Sequence, residues 1–223
     1  MEQTEKLLKD YSDVEKGSYL GAIASIATAD RTASEEELEY IQALADSAEL
    51  SVEQKQAVER AATELSGEEL QTCLDNLKAS DLRYSLVTDL IAFAESDQNY
   101  TEEEKANIEK IAQYLNINKQ QFSLLDQFVK KTKETNVQPE QMQQQGFLGS
   151  PGLEDKFKNS GINFGSLAKG LLGFAGPMIL GSLLSRGMRG RSGGGLGSLT
   201  SMLNGGRGLG STGGLFSRIL RGL

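Results

Sequence analysis

The chain has 223 residues, with 31 acidic and 23 basic side chains, no histidine and one cysteine. These counts exclude an intramolecular disulfide, a Ser-His-Asp or Cys-His catalytic arrangement and a histidine-based transition-metal site. Residues 1–145 hold 14 Lys/Arg against 29 Asp/Glu and sum to −15, whereas residues 146–223 hold 9 against 2 and sum to +7. We therefore expect two parts with different roles, and no enzyme.

Glycine divides the chain at the same place. Only Gly17, Gly21 and Gly67 of the 25 glycines precede residue 146, and each further glycine adds chain entropy that folding must overcome. We expect an acidic helical domain over residues 1–135, a polar linker over 136–161 and a glycine-rich, basic, amphipathic tail over 162–223. The linker holds a Gln-rich run, 138–145, and the turn-forming stretch 149–152.

The lone cysteine and the N-terminus bear on the compartment. Cys73 fits a reducing environment, and we expect it to pack in a core because no histidine is present to activate its thiol. The first residues are acidic and lack the apolar stretch of a secretory signal. We expect a cytoplasmic protein, with a peripheral position at the inner face of a membrane as the refinement that the tail favours.

Apolar residues recur at helical spacing through the first part. In chain order, the inward positions are Leu7, Leu8, Tyr11, Tyr19, Leu20, Ile23, Ile26, Ile41, Leu44, Val58, Ala61, Leu70, Cys73, Leu74 and Leu77. Capping boxes open helices at Ser34 with Glu37 and at Ser51 with Gln54. The pattern predicts an all-α fold, a bundle of seven or eight helices, followed by a largely irregular tail with short amphipathic helices.

A shift of 67 residues superposes one half of the domain on the other. Asp30 falls on Asp97, Ser34 on Thr101, and the acidic triplet 35–37 on the triplet 102–104. Apolar positions alone could recur in any two amphipathic helices. The aspartate, the hydroxyl cap and the triplet in one register predict an internal duplication.

Two segments, Ala22–Leu50 and Leu90–Ile117, share an Ala-rich helix that ends at an aspartate, a short loop and a helix that opens with acidic residues. They resemble the two signature stretches of the tellurite-resistance B (TerB)-like, or DjlA N-terminal-like, family of helical domains, over about residues 15–135. The family's glycine after the aspartate is replaced by Arg31 and Gln98. The resemblance implies a helical domain associated with metal-ion or metal-anion stress.

The same resemblance associates four acidic positions with metal: Asp30, Glu37, Asp97 and Glu104. Carboxylates on a loop and on the next helix can converge on Ca²⁺ or Mg²⁺. The spacing is not that of an EF-hand, whose glycine and glutamate would fall on Glu35 and Ile41. Helix capping, a basic peptide partner or a solvated face also explain these residues. We expect no required cofactor, with Ca²⁺ or Mg²⁺ at these four residues as the alternative.

The tail carries a repeat of sixteen residues. Its copies are Gly165-Ser166-Leu167, Gly181-Ser182-Leu183, Gly197-Ser198-Leu199 and Gly213-Gly214-Leu215. After Asp155 the chain has no acidic residue. This pattern indicates short basic amphipathic segments separated by glycine hinges.

Membrane contact is the favoured use of these segments. The most apolar stretch, 171–184, would be about 21 Å long as a helix against a hydrocarbon core of about 30 Å, so it is too short to span. A basic amphipathic end suits an anionic surface. The residues expected to contact a membrane or a partner are Leu171, Leu172, Phe174, Ile179, Leu180, Leu183, Leu184, Leu215, Phe216, Arg218, Ile219, Leu220 and Arg221.

We expect a non-enzymatic adaptor or stress-response protein whose helical domain is held at a membrane or an assembly by its tail. A divalent-cation sensor acting through the acidic loops is one alternative, and a self-assembling homo-oligomer built through the tail is another. A tail that rests on its own domain by charge attraction also fits. Nucleic acid ranks lower, because the acidic domain repels phosphate and the tail has few aromatic residues to stack on bases.

Overall fold

A computed structural model describes residues 7–27, 35–63, 68–96, 102–135 and 153–171. In these ranges the chain forms nine α-helices and no strand: α1 (Asp13–Ala27), α2 (Glu35–Ser47), α3 (Val52–Thr63), α4 (Glu68–Leu77), α5 (Leu82–Ser96), α6 (Glu102–Tyr114), α7 (Lys119–Thr135), α8 (Leu153–Ser160) and α9 (Phe164–Gly170). The all-α prediction is confirmed. Residues 7–10, which carry the first two of the expected inward positions, form a turn in which Leu8 has a φ of 55°.

Two central helices, α1 and α5, organise the bundle. Nearly every described side chain of α1 from residue 17 to 26, and of α5 from 84 to 91, is buried. A helix that is apolar all round must be covered on every side. Helices α2, α3 and α4 pack around α1, while α6, α7 and α9 pack around α5, and α1 contacts α5 directly.

Small residues allow the close approach of the helices around α1. A Cβ on Gly17 would lie 2.0 Å from Oε1 of Gln54 in α3, and a Cβ on Gly21 would lie 2.8 Å from Sγ of Cys73 in α4. The Gln54 amide is the end of a flexible side chain that can move aside, whereas Sγ of Cys73 is bonded directly to a Cβ that the backbone of α4 fixes. The size limit is therefore stricter at Gly21 than at Gly17.

The two halves end their second helix in the same way, and the residues involved differ by 67. Glu49 has a φ of 52° and Asn116 a φ of 59°. After α2, the amide of Leu50 donates to the carbonyl of Ala45 at 3.1 Å, and after α6 the amide of Ile117 donates to that of Ala112 at 2.8 Å. These bonds form a Schellman motif in each half. The internal duplication is confirmed at this turn.

The helix that follows is also capped equivalently in both halves. In the first, Oγ of Ser51 accepts from the amide of Gln54 at 3.3 Å. In the second, Oδ1 of Asn118 accepts from the amide of Gln121 at 2.9 Å, and Oε1 of Gln121 accepts from the amide of Asn118 at 3.0 Å. The capping box predicted at Ser51 is thus confirmed on its serine side, and its second copy is reciprocal.

The bundle extends beyond the predicted domain boundary at residue 135. Helices α8 and α9 pack on each other, α8 on α7 and α9 on α5, and Phe157, Ile162, Leu167 and Leu171 belong to the single hydrophobic core. The assignment of residues 153–161 to a polar linker, and of 162–171 to a separate tail, is corrected. The sequence on either side of these residues is polar or glycine-rich, and that composition led to the wrong assignment. The four apolar side chains are buried because α8 and α9 pack on α7 and α5.

Candidate interaction surface

The segment 153–171, called the arm below, is built as two short helices with a tight turn between them. The amide of Ile162 donates to the carbonyl of Phe157 at 3.3 Å, and Gly161 between them has a φ of 75°. This is a third Schellman motif, and the residues at its two ends, Phe157 and Ile162, are both buried in the core. Asn163 then caps α9, with Oδ1 accepting from the amide of Ser166 at 3.1 Å.

An aromatic cluster joins the arm to α7. The ring centroids of Phe128 and Phe157 lie 5.7 Å apart at 90°, and those of Phe128 and Phe164 lie 5.7 Å apart at 77°. The two arm rings, Phe157 and Phe164, are 5.4 Å apart. Edge-to-face pairs of this kind contribute about 0.5–1.5 kcal/mol each beyond burial of their area. The arm is therefore held by specific packing against the bundle.

Polar side chains of the bundle hold the backbone of the arm. Tyr11 donates through its hydroxyl to the carbonyl of Ser166 at 3.2 Å, and Ser85 donates to that of Leu167 at 3.2 Å. Gln121 donates through Nε2 to the carbonyl of Ser160 at 3.0 Å. Three donors from separate parts of the chain thus bind backbone carbonyl groups of the arm.

An ion pair lies at the rim of this surface. Nζ of Lys169 is 2.7 Å from Oδ2 of Asp10, and both side chains are about half exposed. The hydrogen bond from Lys169 and its positive charge hold the pKa of Asp10 below its ordinary value. Such an exposed pair orients the arm more than it stabilises it. We call the receiving surface, formed by Tyr11, Leu82, Ser85, Gln121 and Phe128, the arm seat.

A second polar cluster lies in the core between α1, α2 and α5. Tyr19 donates through its hydroxyl to Oδ2 of Asp89, and both residues are fully buried. Tyr40 points its hydroxyl into the interior with no hydrogen-bond partner in the described part of the chain. Burial, and then the charge of Asp89, raise the pKa of the Tyr40 phenol. This cluster specifies how α1 and α5 meet; the hydrophobic spacing of the sequence did not reveal it.

Cys73 lies in the core, as expected. Burial, with a smaller effect from the charge of Glu69, raises the pKa of its thiol to about 12. A thiol with so high a pKa is almost wholly protonated at neutral pH and is a poor nucleophile. Cys73 therefore serves packing against Gly21.

The side chains of the four acidic residues expected at a metal site lie outside the part of the chain that the structure describes. Asp30 and Asp97 lie outside the described residues, and Glu37 and Glu104 are described only as parts of the helical backbone of α2 and α6. Among the side chains that are described, no group of three His, Cys, Asp or Glu could hold a metal ion. Metal binding at these four residues stays a prediction.

Most of the expected membrane or partner residues, from Leu172 to Arg221, also lie outside the described ranges. Leu171 is the exception, and it is 2% exposed in the core. Its assignment to a membrane contact is corrected, because the arm seat covers it in the folded chain. Within the described ranges, each helix is too short or too polar to cross a bilayer.

The fold defines a class: an all-helical domain made of two copies of one helical unit, with the same turn and cap in each copy. The family model of tellurite resistance protein TerB matches residues 4–127, more than half of the chain. The chain therefore belongs to the TerB family, as its acidic helix-loop-helix segments indicated. No curated protein and no solved structure matches it significantly. The arm, at 153–171, lies after the end of the family match.

Proposed function

We propose that the protein is a non-enzymatic adaptor, in which the TerB-family domain is held at an anionic membrane surface or a protein assembly by its glycine-rich tail. The burial of Leu171 carries this proposal. It brings the start of the tail onto the bundle surface, so whatever the tail binds is held close to the acidic domain. If the tail were joined to the domain through a long linker that began at residue 135, the distance between the domain and whatever the tail binds would vary widely.

Charge supports the same reading. Residues 172–223 contain six arginines and no acidic residue, interspersed with leucine, isoleucine and phenylalanine. Basic amphipathic segments bind anionic surfaces by adding apolar burial to an attraction of about 1 kcal/mol for each basic residue near the surface. The strongly acidic domain is repelled from such a surface and stays in solution. The tail then contacts the membrane while the domain remains available to a partner.

The lack of histidine and the burial of the one thiol support a role without catalysis. The chain has no histidine. Its one thiol is buried with its pKa raised to about 12. Activation of a serine or cysteine by histidine, which many hydrolases and transferases use, is therefore not available to this chain, and the proposal assigns the protein to recognition.

Vesicle co-flotation of the full-length chain tests the proposal. We expect flotation with vesicles that contain anionic lipid, and its loss with neutral vesicles, which offer no charge to attract the arginines. High salt should also abolish it, because the screening length falls from about 8 Å at physiological ionic strength to about 3 Å at 1 M. Arg218→Glu with Arg221→Glu should weaken flotation. Lys55→Glu with Arg60→Glu, the same charge change on α3 of the bundle, is the matched control and should leave it intact. Absence of flotation at every lipid composition would overturn membrane contact.

A further inference from the structure

The arm is held in the way that a protein groove holds a separate helical peptide. Its apolar side chains at 157, 162, 167 and 171 are each no more than 2% exposed. Its backbone carbonyls at Ser160, Ser166 and Leu167 accept hydrogen bonds from bundle side chains. Spaced apolar anchors laid into an apolar groove are the usual elements of helix-in-groove recognition, and here polar contacts to the backbone are added to them. The arm therefore has the features of a ligand that is covalently attached.

One position in the arm has a strict size limit. A Cβ on Gly170 would lie 2.2 Å from Oγ of Ser85, 2.8 Å from its Cβ and 2.9 Å from Cδ2 of Leu82. The Cβ of Ser85 is fixed by the backbone of α5 and cannot move aside as the end of a long side chain could. Only glycine fits where α9 crosses α5.

This limit separates the arm from the later copies of the repeat. In the arm, Gly165 and Leu167 are followed by Gly170 and Leu171. The copies that begin at residues 181, 197 and 213 have Arg186, Met202 and Arg218 at the place of Gly170. The copies at 197 and 213 keep an apolar residue at the place of Leu171, namely Leu203 and Ile219. They keep the two apolar positions of Leu167 and Leu171, but they have Arg189 or Gly205 at the place of Phe157, a glycine at the place of Ile162, and a large side chain where the seat admits none.

We propose that the arm seat is a helix-binding groove that selects a segment with glycine immediately before its last buried leucine, and that this selection, together with the apolar anchors Phe157 and Ile162, makes residues 153–171 its occupant. The downstream copies, which the groove rejects, are left for contacts outside the bundle. The inference concerns the seat and its ligand and does not depend on what the tail binds. A second molecule that offers the same pattern in trans competes for the same groove.

Hydrogen exchange of the arm amides in the full-length chain gives the first test. Gly170→Ala should speed exchange across 153–171 by about tenfold or more, because overpacking of this kind costs enough to open a docked segment. Gly165→Ala is the matched control: Gly165 is exposed, and its nearest neighbour would be Oδ1 of Asn163 at 3.3 Å. Ser85→Gly removes both Ser85 atoms that clash, but it also removes the donor to the carbonyl of Leu167. Gly170→Ala is therefore compared in that background, where it should speed exchange less than it does in the wild-type chain.

Two results of that experiment contradict the proposal. One is wild-type exchange in Gly170→Ala, which would show that the seat tolerates a side chain. The other is equal acceleration by Gly165→Ala, which would show that the arm responds to helix composition alone. An equal effect of Gly170→Ala in the wild-type and Ser85→Gly backgrounds would likewise remove Ser85 as the residue that sets the size limit.

Binding in trans gives the second test. Full-length Gly170→Arg carries in its arm the residue found in two of the downstream copies, and we expect it to keep the helicity of the bundle while the seat is vacant. A fluorescent synthetic peptide of residues 153–171 should bind this variant and not the wild-type chain. The same peptide with Gly170→Arg should bind about tenfold more weakly or not at all.

The trans experiment can fail in two ways that overturn the proposal. Loss of helicity throughout Gly170→Arg would show that the arm is an inseparable part of the core. Equal binding of the two peptides would show that the groove does not select glycine. Gln121→Glu in the wild-type chain is a milder second variant: it keeps the acceptor for the amide of Asn118 but removes the donor to the carbonyl of Ser160 and to the hydroxyl of Tyr84. It should speed exchange in the arm without changing exchange in α7.

Discussion

Tyr19 on α1 donates a hydrogen bond to the carboxylate of Asp89 on α5, at the place where the two central helices of the bundle meet. Both side chains are 0% exposed. A buried carboxylate is costly unless its charge is compensated by hydrogen bonds. The pair therefore favours one arrangement of α1 on α5 over others that would bury the same apolar area.

Tyr19→Phe should lower the free energy of unfolding by about 1–3 kcal/mol, the range for a buried polar group that loses its partner. Asp89→Asn should cost less in the Tyr19→Phe background than in the wild-type chain, because the two residues share one interaction. Tyr40→Phe is the matched control and should be nearly neutral, since the Tyr40 hydroxyl has no hydrogen-bond partner in the described residues. Urea denaturation measures all four variants, and additive effects of Tyr19 and Asp89 would contradict the coupling.

Gly21→Ala should destabilise the bundle by about 1–3 kcal/mol, because the new methyl group would lie against Sγ of Cys73 and overpack the contact of α1 with α4. Cys73→Ala removes that sulfur. In the double variant the effect of Gly21→Ala should therefore be smaller, which thermal denaturation of the single and double variants will show. Equal effects of Gly21→Ala in the two backgrounds would place the strain elsewhere.

Thiol labelling checks the environment of Cys73 separately. The raised pKa and burial predict that a thiol reagent reacts slowly with the native chain at pH 8 and rapidly in denaturant. Rapid native labelling would mean that α4 opens from the bundle without global unfolding.

Glu49→Asn should raise the stability by about 0.5–1 kcal/mol, because Glu49 has a left-handed backbone that asparagine tolerates better. Asn116→Ala, at the equivalent turn of the second half, should lower it by a similar amount. The two changes in stability have opposite signs because both positions have the same left-handed backbone, but one holds glutamate and the other asparagine. Melting temperatures of the two variants measure the effect, and a loss of stability in both would show that side-chain contacts of Glu49 outweigh its backbone.

Alkaline pH should weaken the arm through Tyr11. Burial chiefly, with the charges of Asp81, Glu15 and Asp10, raises the pKa of this phenol to about 12 from 10.0. Between these values the unfolded chain binds fewer protons than the folded chain, so the free energy of unfolding falls as pH rises. The contribution is complete below pH 10 and is lost by about pH 12.

Stability measured from pH 9 to pH 12 tests this dependence. The wild-type curve should fall more steeply than that of Tyr11→Phe, which has no phenol to ionise. Protection of the arm amides, taken relative to the base-catalysed intrinsic exchange rate at each pH, should fall more in the wild-type chain than in Tyr11→Phe, since a phenolate cannot donate to the carbonyl of Ser166. Parallel curves for the two chains would contradict the assignment.

The helical domain could be predicted because its signals are local. Capping residues, acidic first turns and apolar spacing define helices over a few residues each, and the 67-residue register of the duplication appears again in the paired turns at Glu49 and Asn116. Asn116 itself favours such a turn. Glu49 gives no such signal, and its conformation is known only from the fold.

The arm could not be predicted in the same way, although some of its signals were present. Gly161 after α8 and Asn163 before α9 are common helix-end residues, and Phe157, Ile162 and Leu167 are spaced apolar residues. These residues lie between a Gln-rich run and a long glycine-rich region. The composition of those two flanking regions led to the prediction of a linker and a separate tail. Short helices are marginal in isolation and form here because α5 and α7 receive them.

The amino-acid sequence by itself determined the helices, their duplication and the charge division, because each depends on residues near one another in the chain or on composition alone. The tertiary structure decided that Asp89 meets Tyr19, that Gly170 lies against Ser85 and that Leu171 is buried. The first two contacts join residues that are 70 and 85 positions apart in the chain. Which groups meet over such separations depends on how whole helices pack.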